Sequence, residues 1–405
     1  VALGPWSCAV PGFDLVDSAP SGLGGGAGGA GGADATGGAG GGGGSGDPCR
    51  SAYWPPPPSA SDPGPDDVEI VVALRKVDLG EGKLDKGPEV GFDLDGLCSC
   101  CGEGASCKEP DAANIDRCDG PCGRDNSTAR MFAAATAFSK NLSSVYQSGE
   151  AEKGNWSLVI RIRGYNGKPN DKQVTVSLHP SPGYDKDPCY SGGGGPKWDG
   201  TDRWPLEASS FDGLPTSGAG GGGGAGGEPF GVVAVGGCGA GEPPSKLYDQ
   251  AKYLDANGYV TGSVLVANLP SIPILLQTDT KSVPFDIKGG ALSGKLVEEP
   301  DGWHLREASL AGRWPVTSVL EVVGSVTSMG VPLCTDHPLY GPIKSGVCGF
   351  RDIHTDVVGP TTPCNAISFG AALEAAPIRL GVIYLSATEG ASCPPGKDPA
   401  DDKCD

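Results

Sequence analysis

The sequence is poor in histidine, in positive charge and in long apolar runs. Four histidines in 405 residues, scattered over loops and strands, leave little material for a local pair of catalytic or metal-ligating imidazoles. Thirty Lys and Arg against 49 Asp and Glu give a net charge of -19, which excludes a nucleic-acid backbone as partner, because that requires clustered cations to release its counterions. No stretch approaches the roughly 18 to 20 apolar residues of a transmembrane helix, so a membrane could hold the chain only through one end. Local catalytic motifs are missing too. His304-Leu-Arg-Glu307 has no second histidine to make a zincin, and no Gly-x-Ser-x-Gly elbow occurs. The run GGALSGK at Gly289 to Lys295 has the Gly, Gly and Lys of a phosphate loop, but Leu296 stands where Ser or Thr must hold the metal, and the run reads as a strand.

In abundance are 69 glycines, 37 prolines and 15 cysteines. Cysteines in loop-like sequence, with so few histidines, indicate disulfides and an oxidising compartment. Cys98, Cys100, Cys101, Cys107, Cys118 and Cys122 crowd the segment from Asp93 to Asn126, which reads as a disulfide-knotted loop, while Cys334, Cys348, Cys364, Cys393 and Cys404 staple the C-terminal end. The spacing of Cys98, Cys100 and Cys101 does not suit paired zinc knuckles. The same loop carries Asp93, Asp95, Asp119, Asp125 and Asn126, hard oxygen donors around an Asp-x-Asp-Gly turn. They make structural calcium the one cofactor to consider, although the closing acid of a full calcium loop is missing. Glycosylation sequons occur at Asn126, Asn141 and Asn155.

Taken in order, Val1 to Ser7 leads into Cys8 as the tail of a signal peptide leads into a lipidated cysteine. Ser7 fits that pattern and Pro5 and Trp6 depart from it, so an ordinary disulfide cysteine is the competing reading; lipidation of Cys8 would leave an even fourteen. Residues 9 to 67, with a Gly/Ala run from Gly24 to Gly46 and a Pro-rich run from Pro55 to Pro65, read as a disordered stalk. Order is expected from Val68, with strands to Gly80 and from Val90 to Leu94, and a helix from Asn126 to Ser148. The clearest regular structure is a hairpin from Asn155 to His179, whose alternating residues give each strand one buried and one wet face. Then comes Trp198-Asp199-Gly200-Thr201-Asp202-Arg203-Trp204, two indoles and two carboxylates on one turn. Flat apolar rings cover a sugar face and carboxylates accept its hydroxyl protons, so this cluster, with Arg161 and Arg163 on the wet face of the hairpin, is the candidate ligand site; the structural alternative is two tryptophans capping the core. In the second half, Val260 to Val264, Leu292 to Leu296 and Leu310 to Trp314 repeat apolar residues four apart with Gly between, which lets a neighbour approach closely. Helices are expected at Pro315 to Met329 and Ile367 to Ala375, and a strand at Ile378 to Leu385.

The runs GFDLDGLCSC (91 to 100), RGYNGKPND (163 to 171), WDGTDRW (198 to 204) and LREASLAGRWP (305 to 315), behind a Gly-rich tether, resemble Gly-rich secreted lipoproteins of the myxobacterial type. The resemblance implies a periplasmic or outer-surface location and brings no activity or site residue with it. The hairpin is also similar to those of concanavalin-like jelly rolls, a likeness of fold alone. Together these features describe a mainly β chain with α+β character. Residues 1 to 8 would be a signal remnant, 9 to 67 the stalk, 68 to 216 an antiparallel, jelly-roll-like β-sandwich, 217 to 228 a Gly-rich loop, and 229 to 405 a disulfide-stapled second sheet with packed helices. The expected function is a secreted or envelope-tethered structural or binding module without catalysis, its partner a glycan or other envelope component, with membrane contact only through an N-terminal lipid. The alternatives are a carbohydrate-binding protein using the Trp/Asp cluster and a secreted hydrolase with Asp199 and Asp202 as acid and base.

Overall fold

Strand-period alternation dominates the computed structural model, which describes residues 53–82, 89–99, 104–111, 115–121, 123–136, 140–187, 194–214, 232–235, 247–277, 282–325, 327–328, 331–386 and 393–404. The lipidation candidate Cys8 and the Gly-rich runs lie outside them. In chain order the elements are β1 (Val68–Asp78), α1 (Ser127–Thr136), α2 (Ser144–Lys153), β2 (Ser157–Tyr165), β3 (Asp171–Ser181), β4 (Arg203–Glu207), β5 (Val232–Val235), β6 (Leu254–Thr261), β7 (Val264–Gln277), β8 (Ser282–Glu299), β9 (Gly302–Pro315), α3 (Val316–Ser325), β10 (Thr327–Ser328), β11 (Val331–Pro332), α4 (Tyr340–Gly349), β12 (Ala366–Pro377) and β13 (Arg379–Leu385).

The chain is mainly β, antiparallel and supplied with packed helices, as its pattern indicated. Its strands from both halves belong to one sheet. β1, β2, β3, β6, β7, β8, β9 and β12 pair in that order, each antiparallel to the next, and β12 returns to pair with β1, so the sheet closes as a barrel. The expected boundary at 217 to 228 therefore does not divide the sheet. A second, three-stranded sheet, β4, β13 and β5, lies against the outside of the barrel wall. Trp198, Trp204, Leu206 and Ile383 there pack on Ala73 of β1 and Val159 of β2. This gives the wall of β1 to β3 a sandwich-like second layer. It also removes the wet face expected for the hairpin: Ser157, Val159, Arg161, Ser177 and His179, which alternate with the lumen residues, are all buried.

The lumen is filled. Ile70, Val72 and Leu74 of β1, Leu158, Ile160 and Ile162 of β2, and Val174, Val176 and Leu178 of β3 meet the alternate apolar residues of the other strands in one core. A bulge between Leu74 and Lys76 adds the residue that returns Val77 to the same face. One mouth is plugged by helices. Ser148 of α2 bonds both backbone groups of Val77, Gln147 bonds both those of Gln277, and Phe132 of α1 packs toward Trp314. At the other mouth the Tyr165 and Trp303 rings meet edge to face at 5.6 Å. Outside, the exposed rows carry ion pairs such as Lys76 with Glu374, Lys288 with Asp286 and Arg306 with Glu299, where a lipid-facing barrel carries an apolar band. Among the described residues no helix is long and apolar enough to cross a membrane.

Several local expectations are corrected. The helix expected from Asn126 to Ser148 is two helices, because Ser143 caps α2 by accepting from the Tyr146 amide; Gly154, at φ 90°, ends it. Val90 to Leu94 is a loop, with Phe92 packed on Ala291 and Ala311 of the barrel wall. Ile367 to Ala375 lies within strand β12 instead of forming a helix. The final part of the stalk is held. Trp54 packs on Phe92, Asp62 donates to and accepts from Asn170, and Pro55 accepts the Tyr259 hydroxyl. The Gly repeat has two uses. Gly262 and Ser263, both at positive φ, make the two-residue β6–β7 turn, whereas Gly294 and Gly312 face the lumen, and their close neighbours are strand residues, not the helix that was expected. Three disulfides are described, Cys107–Cys364, Cys334–Cys393 and Cys348–Cys404.

A Cβ on Gly312 would stand 2.4 Å from Ile287 Cγ2, so Gly312→Ala should destabilise the barrel by about 1–3 kcal/mol. A Cβ on Gly346 of α4 meets open space, and Gly346→Ala should stabilise by about 0.4–1 kcal/mol. Urea unfolding of the two variants checks the opposite signs.

Candidate functional site

The Trp/Asp cluster folds inward. Trp198 is 7% exposed and Trp204 0%, and their rings sit 5.1 Å apart in the layer between the outer sheet and the barrel wall. Asp202, also buried, accepts the Trp198 backbone amide at 2.6 Å, and the Trp198 indole donates to the Glu152 carbonyl at 3.2 Å. No indole face is left for a sugar. The cationic partners are not assembled there either. Arg161 is buried against Glu69, Asp249 and the Tyr248 ring, Arg163 pairs with Asp249, and the cation near Trp198 is Arg75. The expected sugar wall is therefore part of the core, and the physical reason is that β13 pairs beside β4 and brings this turn under cover. Asp199 stays exposed, and hydrogen bonds from the Thr201 hydroxyl and amide hold its carboxyl below the usual range. A general acid needs the opposite shift, so Asp199 with the buried Asp202 is not an acid/base pair.

One Ser–His arrangement had no local sequence signal. His179 Nδ1 lies 3.0 Å from Ser210 Oγ and its Nε2 3.1 Å from Ser177 Oγ. Burial, reinforced by the Arg161 charge, pushes this imidazole down to about 3, and Phe211 stacks on the ring at 4.7 Å. The ring is 0% exposed, so no substrate reaches it and the group serves the core.

The acidic residues of the cysteine-rich loop do converge. Asp93, Asp95 and Asp125 each offer an oxygen within 4.8 Å of the others. The loop is wound around them by its own amides: Asp93 accepts from Gly96, Asp95 from Leu97, Asp125 from Leu94, and Asp119 from Ser99. Asp352, unmarked in the sequence, joins from beyond α4, accepting the Ser368 amide and hydroxyl on β12. Crowding of buried like charges shows in the acidities. Burial first, then the charges of Asp95, Asp119 and Asp352, raises Asp125 well above the carboxylate range; burial with Asp95 and Asp352 raises Asp119 to about 7; burial raises Asp352 to about 6. Arg313 is the cation whose charge reaches Asp125 and Asp95, and it also donates to the Leu94 carbonyl. Oxygen donors at these separations fit a hard cation with bonds of about 2.3–2.6 Å. Asn126 is no part of this set. Its amide donates to Leu79, Val90 and Gly370 carbonyls and its oxygen accepts from Ala129 and Gly370, which also closes its sequon.

Two outcomes follow. Trp204→Ala should cost about 3–5 kcal/mol of stability in urea, and the iodide-accessible part of the tryptophan emission should stay unchanged, since the fully buried Trp204 contributes none of it. For pH, the raised carboxyls Asp119, Asp352 and Glu207, the last also pushed by burial to about 7, bind protons more tightly folded than unfolded. Their contribution is complete below about pH 4 and is lost as pH rises through 6 to 7. In a chelator, melting temperature should therefore rise from pH 8 to pH 5, and Asp119→Asn should flatten the rise. No protein-family model, curated protein or solved structure matches this chain, so its functional reading rests on these residues.

Proposed function

We propose that the chain is a secreted or envelope-exposed structural or binding module without catalysis, acting through its surface on an envelope component. The observation that carries this is the lumen. Eight-stranded barrels that hold a small ligand inside keep a cavity there, whereas here apolar side chains fill the lumen and leave a pocket of about 20 Å³ among residues such as Leu74, Trp156 and Phe369, so that a partner meets the outer surface. The pocket has about the space of one water and an apolar lining. The disulfides support an oxidising compartment, periplasmic or outside the cell. Calcium at Asp93, Asp95 and Asp125 belongs to this reading as a cross-link between the two ends of the cysteine-rich loop.

The purified chain should be retained on isolated envelope material or a glycan array and should turn over no glycoside, ester or peptide. Turnover by the pure protein would sink the proposal. The cation has its own check: at pH 8 calcium should raise the melting temperature over that in chelator, and Asp125→Asn should abolish the difference.

A further inference from the structure

A second group of donors lies at the opposite mouth of the barrel, in the β8–β9 hairpin. Glu299 pairs with Gly302, so the hairpin turns through Pro300 and Asp301 alone. His304 follows on the outward row of β9, opposite Val297. His304 Nε2 is thereby held 3.0 Å from Asp301 Oδ1 and 3.6 Å from Glu299 Oε2, and ligand atoms of the three residues lie within 4.8 Å of one another. A tetrahedral ion with bonds of about 2.0–2.1 Å separates its ligand atoms by about 3.3 Å, and the two measured separations fall on either side of that value.

The imidazole itself sets this group apart from an ordinary ion pair at a hairpin tip. His304 is 4% exposed, yet its Nδ1 has no hydrogen-bond partner among the described residues. That nitrogen lies on the far edge of the ring from the carboxylates, and the ring's polar contacts are on the Nε2 edge, which is aimed between Glu299 and Asp301. The first of these carboxylates is prepared. Arg306 donates through Nε and Nη2 to the same Glu299 oxygen, Oε1, at 3.2 and 2.9 Å, which leaves Oε2 facing His304. Such outer contacts orient metal ligands. Glu299 and Asp301 are partly exposed, so an ion can enter and keep water on its open side.

We propose that Glu299, Asp301 and His304 bind a borderline divalent transition-metal ion, with zinc as the reference ion. One imidazole and two carboxylates suit zinc and disfavour calcium or magnesium, which separates this site from the all-oxygen group at Asp93, Asp95 and Asp125. All three ligands come from six consecutive residues on a short hairpin, so little chain has to be ordered for binding.

The test uses the full chain, stripped with chelator, its free thiols alkylated, and titrated calorimetrically with zinc near neutral pH in excess calcium. One zinc per chain is expected. His304→Gln and Asp301→Asn should each weaken binding at least about tenfold, while Asp125→Asn should leave it unchanged; circular dichroism confirms that each variant is folded. Absence of zinc uptake by the wild type, or undiminished uptake by folded His304→Gln, overturns the proposal. If His304→Gln does not fold, Asp301→Asn, at the exposed turn, decides in the same way.

Discussion

Pairing of β1 with β12 is the constraint on which the rest depends. Val72 meets Pro377 and Asp78 meets Ala372, residues some three hundred positions apart, and that seam turns a row of eight strands into a ring without edges. An open sheet would leave two rows of unpaired backbone groups. Closure also fixes which residues face inward, since strand side chains alternate. Val72, Ile160, Val176, Leu265, Ile287, Leu310 and Phe369 then share one core. Loop-closure entropy grows slowly with length, so the separation of the seam strands costs more in folding time than in stability.

With the lumen apolar, the polar work falls to the outside of the wall, and there it is concentrated in a few side chains. Asn126 is the clearest. It ties the segment after β1, the cysteine-rich loop and β12 together through backbone groups at Leu79, Val90 and Gly370, satisfying buried donors and acceptors that would otherwise be orphaned. Gly370 makes this approach feasible, since a Cβ there would stand 2.7 Å from the Val90 carbonyl. Asp352 does similar work for Ser368 two residues earlier on the strand. The Cys107–Cys364 bridge then secures the same loop beside the entry to β12.

Elements governed by local pattern were legible in the sequence. β1 and the β2–β3 hairpin alternate plainly because their lumen faces are apolar and their outer faces carry Ser, Arg and Thr. What pairs with what was not legible, because the ring joins strands far apart, and so one sheet read as two domains. β12 read as a helix because Ala371, Ala372, Leu373, Glu374 and Ala375 are good helix formers; two flanking strands and a lumen-facing row of Ile367, Phe369, Ala371, Leu373 and Ala375 overrode that preference. Of the candidate sites, the Asp-x-Asp turn pointed to Asp93, Asp95 and Asp125, whose carboxylate oxygens lie close together. Nothing local marked Asp352 or separated Asn126 from the set. The tryptophans could be ligand wall or core on sequence alone, and the outer sheet decided for core by covering them.

The ring has a topological consequence for the integrity of the chain. A peptide-bond break in the connection between β4 and β6 leaves β1 to β3 on one fragment and β6 to β12 on the other, yet those fragments meet along two separate seams, β1 with β12 and β3 with β6. Cys107 lies on the first fragment and Cys364 on the second, so they also remain one covalent molecule until reduced. A protease acting there in an oxidising medium would produce a nicked barrel that still behaves as a single body.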